Sequence, residues 1–225
     1  EGRSAKIIAA GGSHTCVLLS DGQVTCFGNG FDGQLGYGDN SDRNTPDGII
    51  TLPEGRSAKM IAAGSDHTCI LLDNNQVTCF GDGAYGQLGY GDEELRNAPN
   101  ETITLPEGRS AKMIAAGRFH TCVLLDNGEV TCFGRGSSGQ LGYGNYYNRN
   151  APGDPITLPE GRSAKMIAVG SDHTCIILDN NQVTCFGTGF DGQLGYGDNN
   201  NRRAPDGTIN LGNAPDGTPY GVFSP

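Results

Sequence analysis

The sequence has no tryptophan, few histidines and methionines, and no long hydrophobic run. Its apolar segments are only four or five residues long. A membrane-spanning helix needs ~20 apolar residues, so no membrane span is predicted. Basic charge is also scarce, with 15 lysines and arginines against 25 acidic residues. Because a net charge of −10 repels a phosphate backbone, the composition argues against a nucleic-acid partner.

The start of the chain lacks a basic segment followed by an apolar one, which is the pattern of a secretory signal peptide. The first residues already belong to a repeated pattern, and we therefore expect a mature or trimmed product. Apolar residues make up only 36% of the chain, but they are clustered in short runs, which argues against disorder.

Four copies of one unit fill residues 1–212, at a constant interval of 53 residues. The hexapeptide Glu-Gly-Arg-Ser-Ala-Lys, for example, begins at Glu1, Glu54, Glu107 and Glu160. The predicted units are 1–53, 54–106, 107–159 and 160–212. The tail, 213–225, breaks the pattern, and we expect it to close a ring or to contact another chain.

Each unit contains four short apolar runs, which in the first unit are 6–10, 15–19, 24–27 and 49–52. Gly, Asp, Asn or Pro residues bound every run, as is typical of strands and turns, and the 37 glycines fit many tight turns. The second run is apolar on both faces, as expected of a strand between two neighbouring sheets. The sequence therefore predicts an all-β fold, a β-propeller of four four-stranded blades, either complete or part of a larger or oligomeric propeller.

Two cysteines in each unit flank a three-residue hairpin loop, such as 20–22 in the first unit. Asp21-Gly22 suits a type I turn followed by a left-handed residue, and asparagine tolerates that conformation in the second and fourth units. If Leu19 closes the loop opposite Gln23, Cys16 faces Cys26 at a non-hydrogen-bonded position. The α-carbons there approach to roughly 4.5–5.5 Å, which a disulfide can bridge.

The predicted disulfides are Cys16–Cys26, Cys69–Cys79, Cys122–Cys132 and Cys175–Cys185. The alternatives are a reduced pair of small hydrophobic residues in each unit, or a zinc site, although zinc prefers shorter spacing and four converging ligands. Disulfides form and persist in oxidising environments, so the pairing points to an extracellular or cell-surface location.

Several segments carry a family pattern: Gly11–Leu19, then Asp21–Val24, then Cys26–Gly28, then Gly33–Gly38. Together they resemble the regulator of chromosome condensation repeat, and the resemblance covers all four units. It implies a β-propeller, whose best-known members have seven blades. A chain of four units would then be a fragment, a four-bladed ring, or a partner of other chains. Phe27 stands where the family commonly has tryptophan.

The resemblance implies several functions, which do not transfer with the fold alone. Nucleotide exchange on a small nuclear GTPase, with chromatin binding, fits an acidic disulfide-bearing chain poorly. Light sensing through tryptophans needs residues that this chain lacks. Secreted relatives include a protein inhibitor of β-lactamases, so extracellular protein binding fits better.

Motifs that could suggest chemistry all have plainer explanations. Gly28-x-Gly30-x-x-Gly33 resembles a dinucleotide fingerprint, but no helix can follow it, so no cofactor is predicted. The four histidines, one per unit, could ring a metal; we expect them instead to hold loops by hydrogen bonds to the backbone. Acidic loops lack the ligand alternation of a calcium loop, and no metal site is predicted. No nucleophile has a recurring base, so we expect no enzymatic activity.

Loops differ among the units, whereas the strand segments hardly change. They supply the candidate binding residues, Phe31, Asp32, Tyr85, Phe119, Tyr146, Tyr147, Phe190 and Asp191. The alternative is that these loops vary because nothing restrains their sequence. Asn100 begins the one acceptor sequence for N-glycosylation.

These observations predict a non-enzymatic extracellular propeller module. It would bind a protein or carbohydrate partner, or assemble with copies of itself into a surface or filamentous structure. The alternatives are a secreted protein inhibitor of an enzyme and, less in keeping with the composition, a propeller of the guanine-nucleotide-exchange type.

Overall fold

The computed structural model describes residues 3–212, and the predicted tail at 213–225 lies outside the described residues. Residues 3–212 contain twelve strands in four sheets of three, and two 3-10 helices, Pro53–Gly55 and Pro159–Gly161. The strands are β1 Ala5–Ala10, β2 His14–Leu19, β3 Val24–Gly28, β4 Ala58–Ala63, β5 His67–Leu72, β6 Val77–Gly81, β7 Ala111–Ala116, β8 His120–Leu125, β9 Val130–Gly134, β10 Ala164–Val169, β11 His173–Leu178 and β12 Val183–Gly187. No helix in this part of the chain is long and apolar enough to cross a membrane.

Each sheet is an antiparallel meander within one repeat, ordered β1-β2-β3 in the first. The β2–β3 hairpin has the predicted register: Leu19 N–H donates to Gln23 O over 2.8 Å, and Cys16 faces Cys26. The loop needs a left-handed residue before Gln23. Gly22 supplies it with φ 82°, and Asn75 adopts φ 66° at the same point of the second repeat.

A disulfide bridges the middle and outer strands of every sheet. The pairs are Cys16–Cys26, Cys69–Cys79, Cys122–Cys132 and Cys175–Cys185, each with its α-carbons 4.1 Å apart. These are the narrow, non-hydrogen-bonded positions of the hairpins, where side chains approach most closely. No free cysteine is present in the described residues.

The prediction of four strands per unit is wrong, because a tyrosine hydroxyl occupies the middle of the outer edge. Cys26 N–H donates to Tyr37 Oη over 3.0 Å, and that hydroxyl lies 3.1 Å from Cys26 O. The returning chain therefore meets the edge only on either side, through the Gly28–Arg43 bridge and the Ile50 N–H to Val24 O bond of 2.9 Å. The fourth apolar run is thus a buried segment without a strand ladder.

The hydrophobic core lies between the sheets rather than within one repeat. In residues 3–212 it forms three clusters, each combining residues of two consecutive repeats. We call the side of a blade that packs on the preceding blade its leading face, and the opposite side its trailing face. Phe80, on the leading face of the second blade, is fully buried against Gly36 of the first.

The four blades form an open arc, so the alternative of a closed four-bladed ring is wrong. Ile8, on the leading face of the first blade, is 70% exposed, whereas its counterpart Ile61 is 5% exposed against the first blade. A closed ring would bury Ile8 against the fourth blade in the same way. The ends of the inner strands, at Ala10, Ala63, Ala116 and Val169, line a shared funnel at the centre of the arc.

Candidate functional site

Three loop positions meet at each junction between blades. One lies in the glycine-rich loop of a blade, one precedes the histidine of the next blade, and one follows the outer strand of that next blade. The last two are joined by a backbone hydrogen bond of 2.8 Å, as from Asp82 N–H to Asp66 O. In chain order, the residues at these positions are Asp32, Asp66 and Asp82, then Tyr85, Phe119 and Arg135, then Ser138, Asp172 and Thr188.

The first junction is acidic. Partial burial raises the pKa of Asp32, and the nearby carboxylates of Asp66 and Asp82 raise it further. The described residues contain no group of three or more His, Cys, Asp or Glu side chains arranged to hold a metal ion. The acidic junction is therefore a patch of negative potential beside the second junction.

The second junction has the opposite character, and we call Tyr85, Arg118, Phe119 and Arg135 the Arg–aromatic cluster. The rings of Tyr85 and Phe119 have centroids 5.1 Å apart at 53°. The Arg118 guanidinium carbon lies 4.8 Å from the Phe119 centroid, and that of Arg135 lies 5.6 Å from the Tyr85 centroid. Both distances are within cation–π range. The cluster thus links side chains from two blades.

The two guanidinium groups of the cluster remain available to a partner. Arg135 Nε donates to Ser137 Oγ over 2.7 Å, but within residues 3–212 neither arginine forms a salt bridge. Arg118 is exposed, and the other three side chains are half-buried. The cluster is a cationic and aromatic surface on an acidic chain.

The central funnel lies beside this cluster and has a volume of about 560 Å³. Its lining consists of glycine, alanine, serine and valine, together with one charged residue, Arg118. Such a lining offers few side chains that could orient a small substrate, whereas Arg118 places the cationic edge of the cluster at the rim of the funnel.

The prediction that the histidines hold loops by hydrogen bonds to the backbone is wrong, because in the described residues the rings of His14, His67 and His120 bond instead to threonine hydroxyls of the neighbouring blade. His14 Nε2 lies 2.8 Å from Thr68 Oγ1 of the next blade, and that hydroxyl donates to Gln34 O over 2.9 Å. Since the only hydroxyl proton goes to the carbonyl, His14 carries its proton on Nε2 and donates to Thr68. The same contacts join the second blade to the third and the third to the fourth.

Burial keeps these tethering rings neutral. It lowers the pKa of His14 to about 4 and those of His67 and His120 to about 3. His173, on the trailing face of the fourth blade, is only partly buried, and its pKa is lowered by the same cause. Neutral, buried rings do not supply an accessible acid or base.

Of the predicted binding residues, Tyr85 and Phe119 are brought together in one cluster with two cations. Phe31 and Phe190 are 74% and 67% exposed on the loops of the end blades. Tyr147 is 76% exposed, and Tyr146 lies 5.9 Å from the Arg203 guanidinium. The remaining predicted positions are Asp32 in the acidic junction, Asp191 exposed on the fourth blade, and Asn100 exposed after Pro99.

Sequence reasoning missed Arg135 and did not select Arg118. A comparison of equivalent positions could have found both. Arg135 stands where the other repeats have Asn29, Asp82 and Thr188, and Arg118 stands where they have glycine or serine. A basic residue at one repeat alone is a stronger signal in an acidic chain than loop variation in general.

Comparisons with known proteins agree with this architecture. Models of the regulator of chromosome condensation (RCC1) repeat match residues 5–34, 59–87, 112–140 and 165–193, and also 21–71, 74–124 and 127–177. The chain is 35% identical to the ultraviolet-B receptor UVR8 of Arabidopsis thaliana over 93% of its own length and 47% of the receptor. It is 33% identical to human HERC4, a probable E3 ubiquitin-protein ligase, over 88% of its length and 19% of HERC4.

The fold is also that of yeast RCC1 (Prp20) in its complex with Kap60. That structure has a TM-score of 0.77 and 24% identity, over 93% of this chain and 49% of the yeast chain. The chain thus spans half the length, or less, of these relatives. The predicted all-β propeller architecture is confirmed, and the chain belongs to the RCC1-repeat family of β-propeller proteins.

Proposed function

We propose that this chain is a non-enzymatic protein-binding module that works outside the cell and recognises its partner through the Arg–aromatic cluster. The observation that carries the proposal is the second junction, where Tyr85 and Phe119 pack together beside Arg118 and Arg135. Tyrosine and arginine are over-represented among the residues that dominate binding energy at protein interfaces.

The rigidity of the site supports recognition. Tyr85 and Phe119 come from different blades, whose junction is fixed by a buried core and by the bond from His67 to Thr121 of 2.9 Å. A preorganised surface loses little conformational entropy when it binds. Family structure is consistent with this use, since yeast Prp20 has been seen bound to the protein Kap60.

Charge suggests the chemistry of the partner. Unpaired guanidiniums at the second junction favour carboxylates on the partner, and the acidic first junction discourages a partner that is acidic throughout. We therefore propose a protein surface of mixed charge, with an acidic patch that meets Arg118 and Arg135.

Disulfides support the extracellular location. Each blade carries one, and such bonds persist where the environment is oxidising.

The proposal that the chain has no enzymatic activity is based on the protonation state and burial of its histidines. Three are buried and neutral and join blades to one another, which is a structural use of the residues best suited to acid–base catalysis.

The proposal can be tested with substitutions that copy the residues found at equivalent positions of the other repeats. Arg118→Ser with Phe119→Asp installs the pair that the second and fourth repeats carry at the same positions, so the backbone should accept it. The control, Phe31→Ser with Phe190→Ser, installs the serine of the third repeat and removes two more exposed aromatics away from the cluster.

Immobilised wild type, cluster variant and control would be exposed to the secreted proteins of the source organism, and the dissociation constants of retained proteins measured individually. We expect a partner that the wild type and the control bind equally, and that the cluster variant binds at least about 10-fold more weakly. If all retained proteins bind the cluster variant as tightly as the wild type, the proposal is wrong. Retention of glycans alone would contradict it as well.

A further inference from the structure

One arginine in each repeat stacks on the tyrosine at the outer edge of its blade. Each guanidinium carbon lies 3.7–4.1 Å from the ring centroid, in the pairs Arg43 with Tyr37, Arg96 with Tyr90, Arg149 with Tyr143 and Arg202 with Tyr196. In three repeats an aspartate four residues before the arginine pairs with it, at N···O distances of 2.8 Å for Asp39, 2.8 Å for Asp92 and 2.9 Å for Asp198. These repeats therefore show that the natural partner of the stacked guanidinium is a carboxylate.

The third repeat lacks this carboxylate, because Asn145 stands where the other repeats have aspartate. Asn145 Oδ1 accepts from the Tyr147 N–H over 3.1 Å, which is the turn bond that Asp39 Oδ1 makes in the first repeat. The remaining polar atom of Asn145 is then Nδ2, a donor, where Asp39 Oδ2 accepts from Arg43. A guanidinium is also only a donor, so Asn145 does not replace the aspartate. Within residues 3–212 Arg149 forms no salt bridge.

The loop that carries Arg149 also presents aromatic and basic side chains. Tyr146 and Tyr147 are exposed, at positions where the second repeat has two glutamates. Arg203 of the next blade stands where the other repeats have asparagine, and its guanidinium carbon lies 5.9 Å from the Tyr146 centroid. The Gly144 N–H donates to Arg203 O over 2.7 Å, which holds the two segments together. We call Tyr146, Tyr147, Arg149 and Arg203 the outer Arg–Tyr site.

The exposure of this loop does not depend on the ends of the described chain. The third blade packs against the second blade on one side and the fourth blade on the other. The second blade also has a neighbour on both sides, and Glu93 and Glu94 in its equivalent loop are exposed. The loop therefore faces solvent in a blade that lies inside a row of blades.

We propose that the outer Arg–Tyr site binds an aspartate or glutamate side chain of a short acidic segment in a partner protein. The bound carboxylate would take the place that Asp92 occupies in the second repeat, where its two oxygens accept from Arg96 over 2.8 and 2.9 Å. Because Arg149 is already stacked on Tyr143, its guanidinium is preorganised for such a bidentate contact.

Charge selects this occupant. Arg149 and Arg203 are two cations on a chain of net charge −10, which is too few to hold a long phosphate backbone against that charge but sufficient for one or two carboxylates. Tyr146 and Tyr147 supply exposed ring surface for the residues that flank the carboxylate. No residue of the Arg–aromatic cluster takes part, so the inference goes beyond the proposed function and does not depend on it.

Nuclear magnetic resonance titration of the isotope-labelled chain with an N-acetylated hexaglutamate peptide, at physiological ionic strength, tests the proposal. We expect saturable shifts of the Arg149 Nε–H signal and of the backbone amides of Tyr146 and Tyr147. Asn145→Asp supplies an internal carboxylate that competes with the peptide, and should weaken binding at Arg149 by about 5-fold or more. Because the substitution copies the residue of the other repeats, the variant should retain the wild-type fold.

Asn148→Asp is the matched control, since it adds the same charge to the same loop and copies Asp42 of the first repeat. The side-chain oxygens of Asn148 and Asp42 accept equivalent backbone bonds of 3.0 and 2.9 Å, so the loop should be preserved. A charge that does not contact the guanidinium is screened by salt, and we expect binding to weaken by less than about 2-fold. The cluster variant, Arg118→Ser with Phe119→Asp, should bind the peptide at Arg149 as the wild type does.

The absence of saturable shifts at Arg149 would overturn the proposal, and so would equal binding by Asn145→Asp and the wild type. Loss of the Arg149 shifts in the cluster variant would show that the two sites are not separate, which also contradicts it. A thymidine oligonucleotide that shifts the same signals at lower concentration than hexaglutamate would identify a nucleic acid as the occupant instead.

Discussion

His67 shows how one residue can fix the relation between two blades. Its Nε2 lies 2.9 Å from Thr121 Oγ1, which donates to Gln87 O over 2.9 Å, so the hydroxyl links the ring to the backbone. All three groups are buried, and a buried polar group left without its partner costs about 1–3 kcal/mol. The tether therefore fixes the position of one blade relative to the next, because a shifted junction would leave several buried polar groups without hydrogen-bond partners.

The buried histidines make stability depend on pH. Burial lowers the pKa of His67 in the folded chain from 6.5 to about 3, so between these values the unfolded chain binds a proton that the folded chain does not. The free energy of unfolding is therefore highest above pH 6.5 and falls as the pH drops, by about 1.4 kcal/mol per pH unit for each such histidine.

Chemical denaturation without reductant at pH 7, 6 and 5 measures this slope. His67→Gln keeps an N–H that can reach Thr121 and removes one of the four histidines whose pKa burial lowers, so the slope should decrease by about a quarter to a third. A wild-type stability that stays constant or rises on acidification over this range would show that the rings are not held neutral.

At the scale of elements, the glycine-rich loop and the outer strand of the next blade form a ring-on-backbone contact. A Cβ added to Gly89, which has φ 83°, would lie 2.6 Å from Cε2 of Phe133. Gly91, two residues later, has φ 94° and nothing within 4 Å of an added Cβ. The two glycines thus share the backbone requirement but differ in the space around them.

This pair gives a matched prediction. Both Gly89→Ala and Gly91→Ala place a side chain in the left-handed region, at about 1 kcal/mol each. Only Gly89→Ala also forces Phe133 to move, and overpacking adds a further ~1–3 kcal/mol. Thermal and chemical unfolding should therefore rank Gly89→Ala as clearly less stable than Gly91→Ala, and equal stabilities would mean that the ring does not pack on this loop.

Hairpins could be predicted from the sequence because their determinants are local. The three-residue loop, its left-handed glycine or asparagine and the spacing of the cysteines together set the register of Cys16 opposite Cys26. The fourth run could not be predicted correctly, since its pattern is strand-like. Whether the fourth run pairs as a strand depends on Tyr37, which lies more than ten residues away in sequence. The Tyr37 hydroxyl makes the hydrogen bonds to Cys26 that a fourth strand would have made.

The candidate site was only half predictable for a related reason. Aromatic residues in variable loops were visible in the sequence, but pairing Tyr85 with Phe119 requires the junction between two blades. The register across that junction is fixed by tertiary contacts, such as the bond from His67 to Thr121, which no local pattern reveals. Arg135 joins the cluster for the same reason.

On the scale of the whole molecule, the chain is an arc of near-identical blades. The features that the blades share hold the structure together, whereas the loops at the junctions differ from one junction to the next. Packing and tethers recur at all three junctions and a disulfide recurs in every repeat, while the junctions themselves are acidic, cationic-aromatic, and polar with a single carboxylate. Function is proposed to lie in that difference. The proposed location outside the cell depends on the part that does not vary, the disulfide of each blade.

Mapping those disulfides in the chain isolated from its source is the most direct test. The untreated protein would be alkylated without reductant, digested and analysed by mass spectrometry. We predict four linked peptides, each joining the two cysteines of one hairpin, such as Cys122 with Cys132, and no alkylated cysteine. Alkylated cysteines in the untreated protein, or a disulfide between different repeats, would contradict the structure of the blades and the location inferred from it.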